Sequence, residues 1–119
     1  MKSYTDIEQS KKLAKILPLE SADMYYGYKK DKPEFLPYSD IEVVGLCLPC
    51  WSLAALLKLM PKRYNDDKVY MPLVGRYYEG NHKFICGYFG DGLLDCTFGE
   101  TSINACVEMI IKLHEQKIL

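Results

Sequence analysis

The chain has no excess of either charge. Fifteen Lys and Arg stand against sixteen Asp and Glu, for a net charge of −1 over 119 residues. Binders of nucleic acid or of anionic membrane surfaces concentrate basic residues on one face, so this balance argues against both classes. The one local cluster, Lys29, Lys30 and Lys32, is offset by Asp31 and Glu34 and reads as a solvated loop. Long apolar runs are missing too. Pro49 and Pro61 bracket the longest, which falls short of the roughly 18 residues that cross a bilayer. The start, Met1-Lys2-Ser3-Tyr4-Thr5-Asp6, leads into a charged helical pattern without an apolar signal core, which predicts no export. There are only two histidines, and no phosphate loop, dinucleotide fingerprint, metalloprotease helix, internal repeat or low-complexity tract. Nothing therefore calls for a cofactor or a metal.

What is present is a globular composition. Half the residues are hydrophobic (49%), enough for one domain over residues 1–119 to bury a core without crosslinks. Five cysteines, an odd number spread along the chain, fit a reduced, cytoplasmic protein.

Thr5-Asp6-Ile7-Glu8 matches a capping box, and the helix it opens should run to about Leu17, before Pro18. Residues Ala22 to Tyr28 read as a strand, Lys29 to Asp40 as a long polar loop with Pro33 and Pro37, and Ile41 to Leu46 as a β-branched strand. A helix from Cys50 to about Met60 carries only Ser52 and Lys58 as polar interruptions, which predicts burial on nearly every side. After the loop Lys62 to Asp67 come three strand-like segments, Lys68–Tyr78, Lys83–Phe89 and Leu93–Phe98. Their turns are Glu79-Gly80-Asn81 and Asp91-Gly92, the marks of an antiparallel meander. Pro72 places the first of these strands at an edge or a bulge. Thr101 or Ser102 then caps a last helix to about Gln116, with Ile103, Cys106, Val107, Ile110 and Leu113 on one face. The predicted fold is α+β: a buried central helix and terminal helices packed on a three- to four-stranded antiparallel sheet.

The chemistry-bearing stretch is Cys47-Leu48-Pro49-Cys50-Trp51-Ser52. A strand, Cys-x-Pro-Cys and a helix resemble a thioredoxin-type active site, in which helix amides favour the thiolate. That fold needs a further helix-strand-helix before its final hairpin, and the loop Lys62 to Asp67 leaves no room for one. Cys47 and Cys50 also have zinc-ligand spacing, but His82, Cys86 and Cys96 form no second close pair.

Cys47-x-x-Cys50-Trp51-Ser52 further resembles the Cys-Gly-Ser-Cys-Trp-Ala signature around the nucleophile of papain-like cysteine peptidases. Asn81-His82-Lys83-Phe84-Ile85-Cys86-Gly87-Tyr88 is similar to the segment that carries their general base. The resemblance implies Cys50 as nucleophile, His82 as base and an orienting residue around Asp95 or Cys96, of which only Asp95 has the carboxylate to hold an imidazole. No Gln precedes Cys50 at the family's oxyanion-hole spacing, and the chain is far shorter than such a peptidase. The alternative reading of Cys50 is a buried small apolar residue. His114, near the end of the last helix, suits the negative pole of the helix dipole. Of the ten tyrosines, Tyr70, Tyr77 and Tyr88 lie on the meander and are candidate contacts for a protein partner.

Three blocks together carry a second resemblance: Tyr4-Thr5-Asp6-Ile7-Glu8-Gln9-Ser10-Lys11-Lys12-Leu13-Ala14 with Leu17-Pro18-Leu19-Glu20-Ser21-Ala22-Asp23-Met24, then Pro49 through Leu57 with Pro61, and Ala105-Cys106-Val107-Glu108-Met109-Ile110 with Leu113-His114-Glu115. They resemble a family of short hypothetical proteins of gut bacteria and their mobile elements. That resemblance implies an accessory role and brings no catalytic residue or substrate. The leading expectation is thus a non-enzymatic cytoplasmic module that binds a protein partner or itself. The rival is a compact cysteine hydrolase built on Cys50 and His82.

Overall fold

A computed structural model of the chain describes residues 3–29, 35–39, 43–77 and 83–119. The first helix, α1 (Ile7–Ala14), is opened by Asp6 and not by Thr5. The Asp6 carboxylate accepts from the Gln9 amide at 2.7 Å, and the Gln9 side chain accepts from the Asp6 amide at 3.0 Å. The capping box thus sits one residue later than the sequence suggests, because the Thr5 hydroxyl is buried and employed elsewhere. The helix also stops three residues early, in a tight turn where the Ile16 and Leu17 amides both reach the Leu13 carbonyl. A 3-10 turn follows over Leu19–Ser21.

Strands β1 (Met24–Lys29), β2 (Leu36–Tyr38) and β3 (Val43–Cys50) form an antiparallel sheet in the order β2-β1-β3. Part of the segment expected to be loop is therefore strand. Pro37 is tolerated there because β2 is an edge, with a side that needs no amide.

Helix α2 (Leu53–Leu59) begins three residues after its predicted start. Pro49 and Cys50 still pair with Tyr25 and Met24, so the strand runs on to Cys50, and Ser52 supplies the cap by accepting from the Ala55 amide at 3.2 Å. The helix is only half buried. Ala55 and Leu56 face the core, while Ala54 and Lys58 face solvent.

A second antiparallel sheet has the order β4-β5-β6-β7, from β4 (Arg63–Asn65), β5 (Lys68–Arg76), β6 (Phe84–Gly90) and β7 (Gly92–Gly99). The sequence reading missed β4. Its hairpin to β5 turns on Asp66 and Asp67 at φ 51° and 63°, a pair of positive φ values more often supplied by Asn-Gly or Asp-Gly. β4 pairs only with Lys68–Tyr70, so β5 is an edge at Pro72, where the missing amide removes no ladder bond on that side. The predicted turn at Glu79-Gly80-Asn81 lies outside the described residues.

Helix α3 (Ser102–Glu115), capped by Thr101, packs on β5, β6 and β7 and meets α1 and α2. Its predicted stripe is buried, and Ala105 and Met109 with it. Gly99 permits this approach, since a Cβ there would come within 2.5 Å of the Ala105 amide. Leu13, Trp51, Leu56, Tyr88, Ile103, Ile110 and Leu113 share one core. The fold is α+β, with three α-helices and two antiparallel sheets among the described residues, where one sheet was expected. No helix among the described residues is long and apolar enough to cross a membrane.

Candidate functional site: the Cys50 seam and the outer sheet face

Strand geometry decides what the cysteine pair can do. Successive side chains of a strand alternate faces, so residues 47 and 50 point to opposite sides, about 10 Å apart along the chain. Cys47 is exposed and Cys50 fully buried. The spacing that suggested a dithiol or a zinc knuckle presupposes a turn, and this segment is extended. No disulfide joins the five cysteines, and no metal-binding cluster occurs among the described residues.

Cys50 sits in a polar seam with the segment before α1. The Thr5 hydroxyl lies 2.8 Å from the Ser10 hydroxyl and 3.5 Å from the Cys50 sulfur, and it accepts from the Trp51 amide at 3.1 Å. The Thr5 carbonyl accepts from the Cys50 thiol at 3.4 Å and from the Tyr26 hydroxyl at 2.8 Å. The protons present allow one self-consistent set of directions. Thr5 has one hydroxyl proton; if it goes to the sulfur, Ser10 must donate to Thr5, and the thiol proton is left for the Thr5 carbonyl. Every donor is then used. A thiolate would face that carbonyl with no proton between them. Burial accordingly pushes the Cys50 thiol up, outweighing the hydrogen bonds from Thr5 and Ser10 that pull it down, and the Asp23 carboxylate adds to the rise. A helix-activated nucleophile shows the reverse shift.

The same seam ties neighbouring elements together. The Trp51 indole donates to the Ser21 hydroxyl at 3.0 Å, and the Asp23 carboxylate takes both the Ser52 amide, at 2.9 Å, and the Ser52 hydroxyl. Asp95 is likewise occupied. Its carboxylate meets the Lys112 ammonium at 2.5 Å and the Arg63 guanidinium at 3.4 Å. Burial alone would raise its pKa, but Lys112, the Cys96 amide and Arg63 together hold it below the usual carboxylate range. His82 lies outside the described residues. His114 stands exposed in the last turn of α3.

The candidate tyrosines fall on both sides of the second sheet. Tyr70 and Tyr88 face the core at 6% and 0% exposure, and only Tyr77 is partly open, its ring centroid 5.0 Å from that of Phe98. Arg63 lies over the Tyr88 ring at 5.2 Å, and the buried Tyr88 hydroxyl has no hydrogen-bond partner among the described residues.

The surface that sequence reasoning missed is the opposite face of this sheet. Ten large apolar side chains among the described residues are strongly exposed, and five of them stand here: Tyr64, Val69, Met71, Leu73 and Leu93. Their register partners share the face. Val69 opposes Tyr64, Met71 opposes Phe89, and Phe89 opposes Leu93. Gly75, with nothing within 4 Å of a Cβ placed on it, leaves a shallow hollow of about 270 Å³ among Leu73, Ile85 and Phe89. The signal was legible: Val69, Met71, Leu73 and Gly75 alternate with Tyr70, Pro72 and Val74, so both faces of β5 are apolar.

Compared with protein-family models, with curated proteins and with solved structures, the chain matches none of them.

Proposed function

We propose that this chain is a non-enzymatic protein-interaction module that works inside the cell and contacts its partner through the outer face of the β4–β7 sheet. The observation that carries the reading is the concentration of five exposed apolar side chains on that face. Monomeric proteins seldom leave so much contiguous apolar surface in water, because burying it is worth about 25 cal/mol per Å². In this reading α3 and the core stiffen the sheet from behind, and the outer strand positions present the contact. An accessory role linked to mobile elements, the expectation from the family resemblance, is compatible with such a module.

The cysteine-hydrolase reading has less support. It needs an accessible thiolate, and Cys50 is buried and held as a thiol by Thr5. It also needs an acid to orient His82, and the Asp95 carboxylate is engaged by Lys112 and Arg63.

The test is a charge placed on the face. Leu73→Lys, at a site 55% exposed, should leave the circular dichroism spectrum and melting temperature unchanged while removing whatever association, with itself or with another protein, the wild type displays. Unaltered association in a folded Leu73→Lys variant would overturn the assignment of the face.

A further inference from the structure

Resting on the assignment of this face as the contact surface, we infer that its partner is a second copy of the chain, docked sheet to sheet across a two-fold axis. Three observations select that occupant.

The first is charge. Among the described residues the strand positions of the face carry no ionisable group except the phenol of Tyr64 and the thiol of Cys96. A partner with carboxylates or ammonium groups at its centre would have to strip them of water with nothing to pair them. An equally uncharged face is required, and this chain supplies one of matching size. The charges sit at the rim. Lys68 pairs with Asp91 at one end of the strands, and Lys83 lies 3.6 Å from Glu100 at the other. Asp66 and Asp67 make the first end net negative and Arg76 makes the second net positive, and the whole chain carries only −1, so a two-fold that sets unlike ends together brings two copies in without repulsion. An apolar centre with a polar rim is also the usual anatomy of an interface.

The second is area. With strands of nine, seven and eight residues beside the three of β4, a rise of about 3.4 Å and a spacing of about 4.8 Å make the face about 440 Å² in projection. Two copies then bury on the order of 1,000 Å², the lower bound for a specific association, which fits a weak, reversible dimer.

The third is shape. The hollow at Gly75 lies two residues along β5 from Leu73, an exposed knob on the same face. In an isologous pair each copy offers both knob and hollow, and two sheets so packed stand about 10 Å apart.

Sedimentation equilibrium of the purified chain from about 1 to 200 µM tests this. The expected result is a monomer–dimer equilibrium in the micromolar range, weakened at least tenfold by Leu73→Lys and by Gly75→Arg, whose hollow has space for a side chain. Circular dichroism spectra matching wild type would show both variants folded, and failure of one to fold leaves the other to decide. A wild-type monomer up to 200 µM overturns the second copy as occupant. If such a monomer still captures a lysate protein that Leu73→Lys releases, the contact face itself stands; if it captures nothing, both readings fall. A dimer insensitive to both folded variants overturns the face.

Discussion

The hydroxyl of Thr5 donates to the sulfur of Cys50 at 3.5 Å, and the carbonyl of Thr5 takes the thiol proton back at 3.4 Å. One residue before α1 thus closes a two-way hydrogen bond with the last residue of β3. The Trp51 amide and Ser10 hydroxyl meet the Thr5 hydroxyl oxygen, so its loss strands several buried groups at once.

Thr5→Val keeps the shape and deletes the hydroxyl. It should cost about 2–4 kcal/mol, because the Trp51 amide is left unpaired in the core. Thr5→Ser keeps the hydroxyl and gives up one methyl, for about 1 kcal/mol. Urea unfolding of the two variants beside wild type checks the order.

Two buried tyrosines should respond to the same change with opposite signs. Tyr26 donates to the Thr5 carbonyl at 2.8 Å, so Tyr26→Phe should destabilise by about 1 kcal/mol. The Tyr88 hydroxyl has no partner among the described residues, so Tyr88→Phe should be neutral or stabilising by up to about 1 kcal/mol. Thermal melts at neutral pH separate the two.

The alkaline limb follows from the same pair. Burial pushes both phenols up to about 12, against 10.0 when unfolded, with nearby Cys50 adding to the rise at Tyr26. A raised folded pKa contributes stability that is complete below pH 10 and lost as pH rises through about 12, since only the unfolded chain can ionise in between. Tyr88→Phe should flatten the fall in stability between pH 10 and 12, as read by urea midpoints.

Asp95 governs part of the acid limb. Its folded pKa lies below the ordinary 3.8, so the stability it contributes is present above that value and is lost as pH falls through the lower, folded one. Asp95→Asn should cost about 1 kcal/mol at pH 7 and progressively less as pH falls below 3.8, measured by urea unfolding across that range.

Much of the fold was readable because local signals and tertiary structure agree. The stripe from Ile103 to Leu113 and the turn at Asp91-Gly92, with Gly92 at φ 89°, specify the same elements in the chain as in the sequence. The errors cluster where tertiary contacts override local preference. Thr5 had the sequence of a cap and became a core hydrogen-bonding group, leaving Asp6 to cap. Cys50 followed Pro49 like a helix start and stayed in a strand because Met24 pairs with it. The short strand Arg63–Asn65 was hidden because Asp66 and Asp67 took the positive φ values that Gly usually supplies. The meander tyrosines were legible as a set, but which face each takes depends on the register, and β7 carries an extra residue, Leu94, opposite the step from Tyr88 to Phe89.

A non-enzymatic role for the chain requires Cys50 to be a protonated structural thiol. The direct measurement is the rate of iodoacetamide alkylation at Cys50 and Cys47, resolved by peptide mass, from pH 6 to 10. Exposed Cys47 should react readily, while Cys50 should react only at the rate at which the chain opens and should gain speed in Thr5→Val. Rapid alkylation of Cys50 in the native chain, with an apparent pKa below that of an ordinary thiol, would contradict the account and restore the nucleophile.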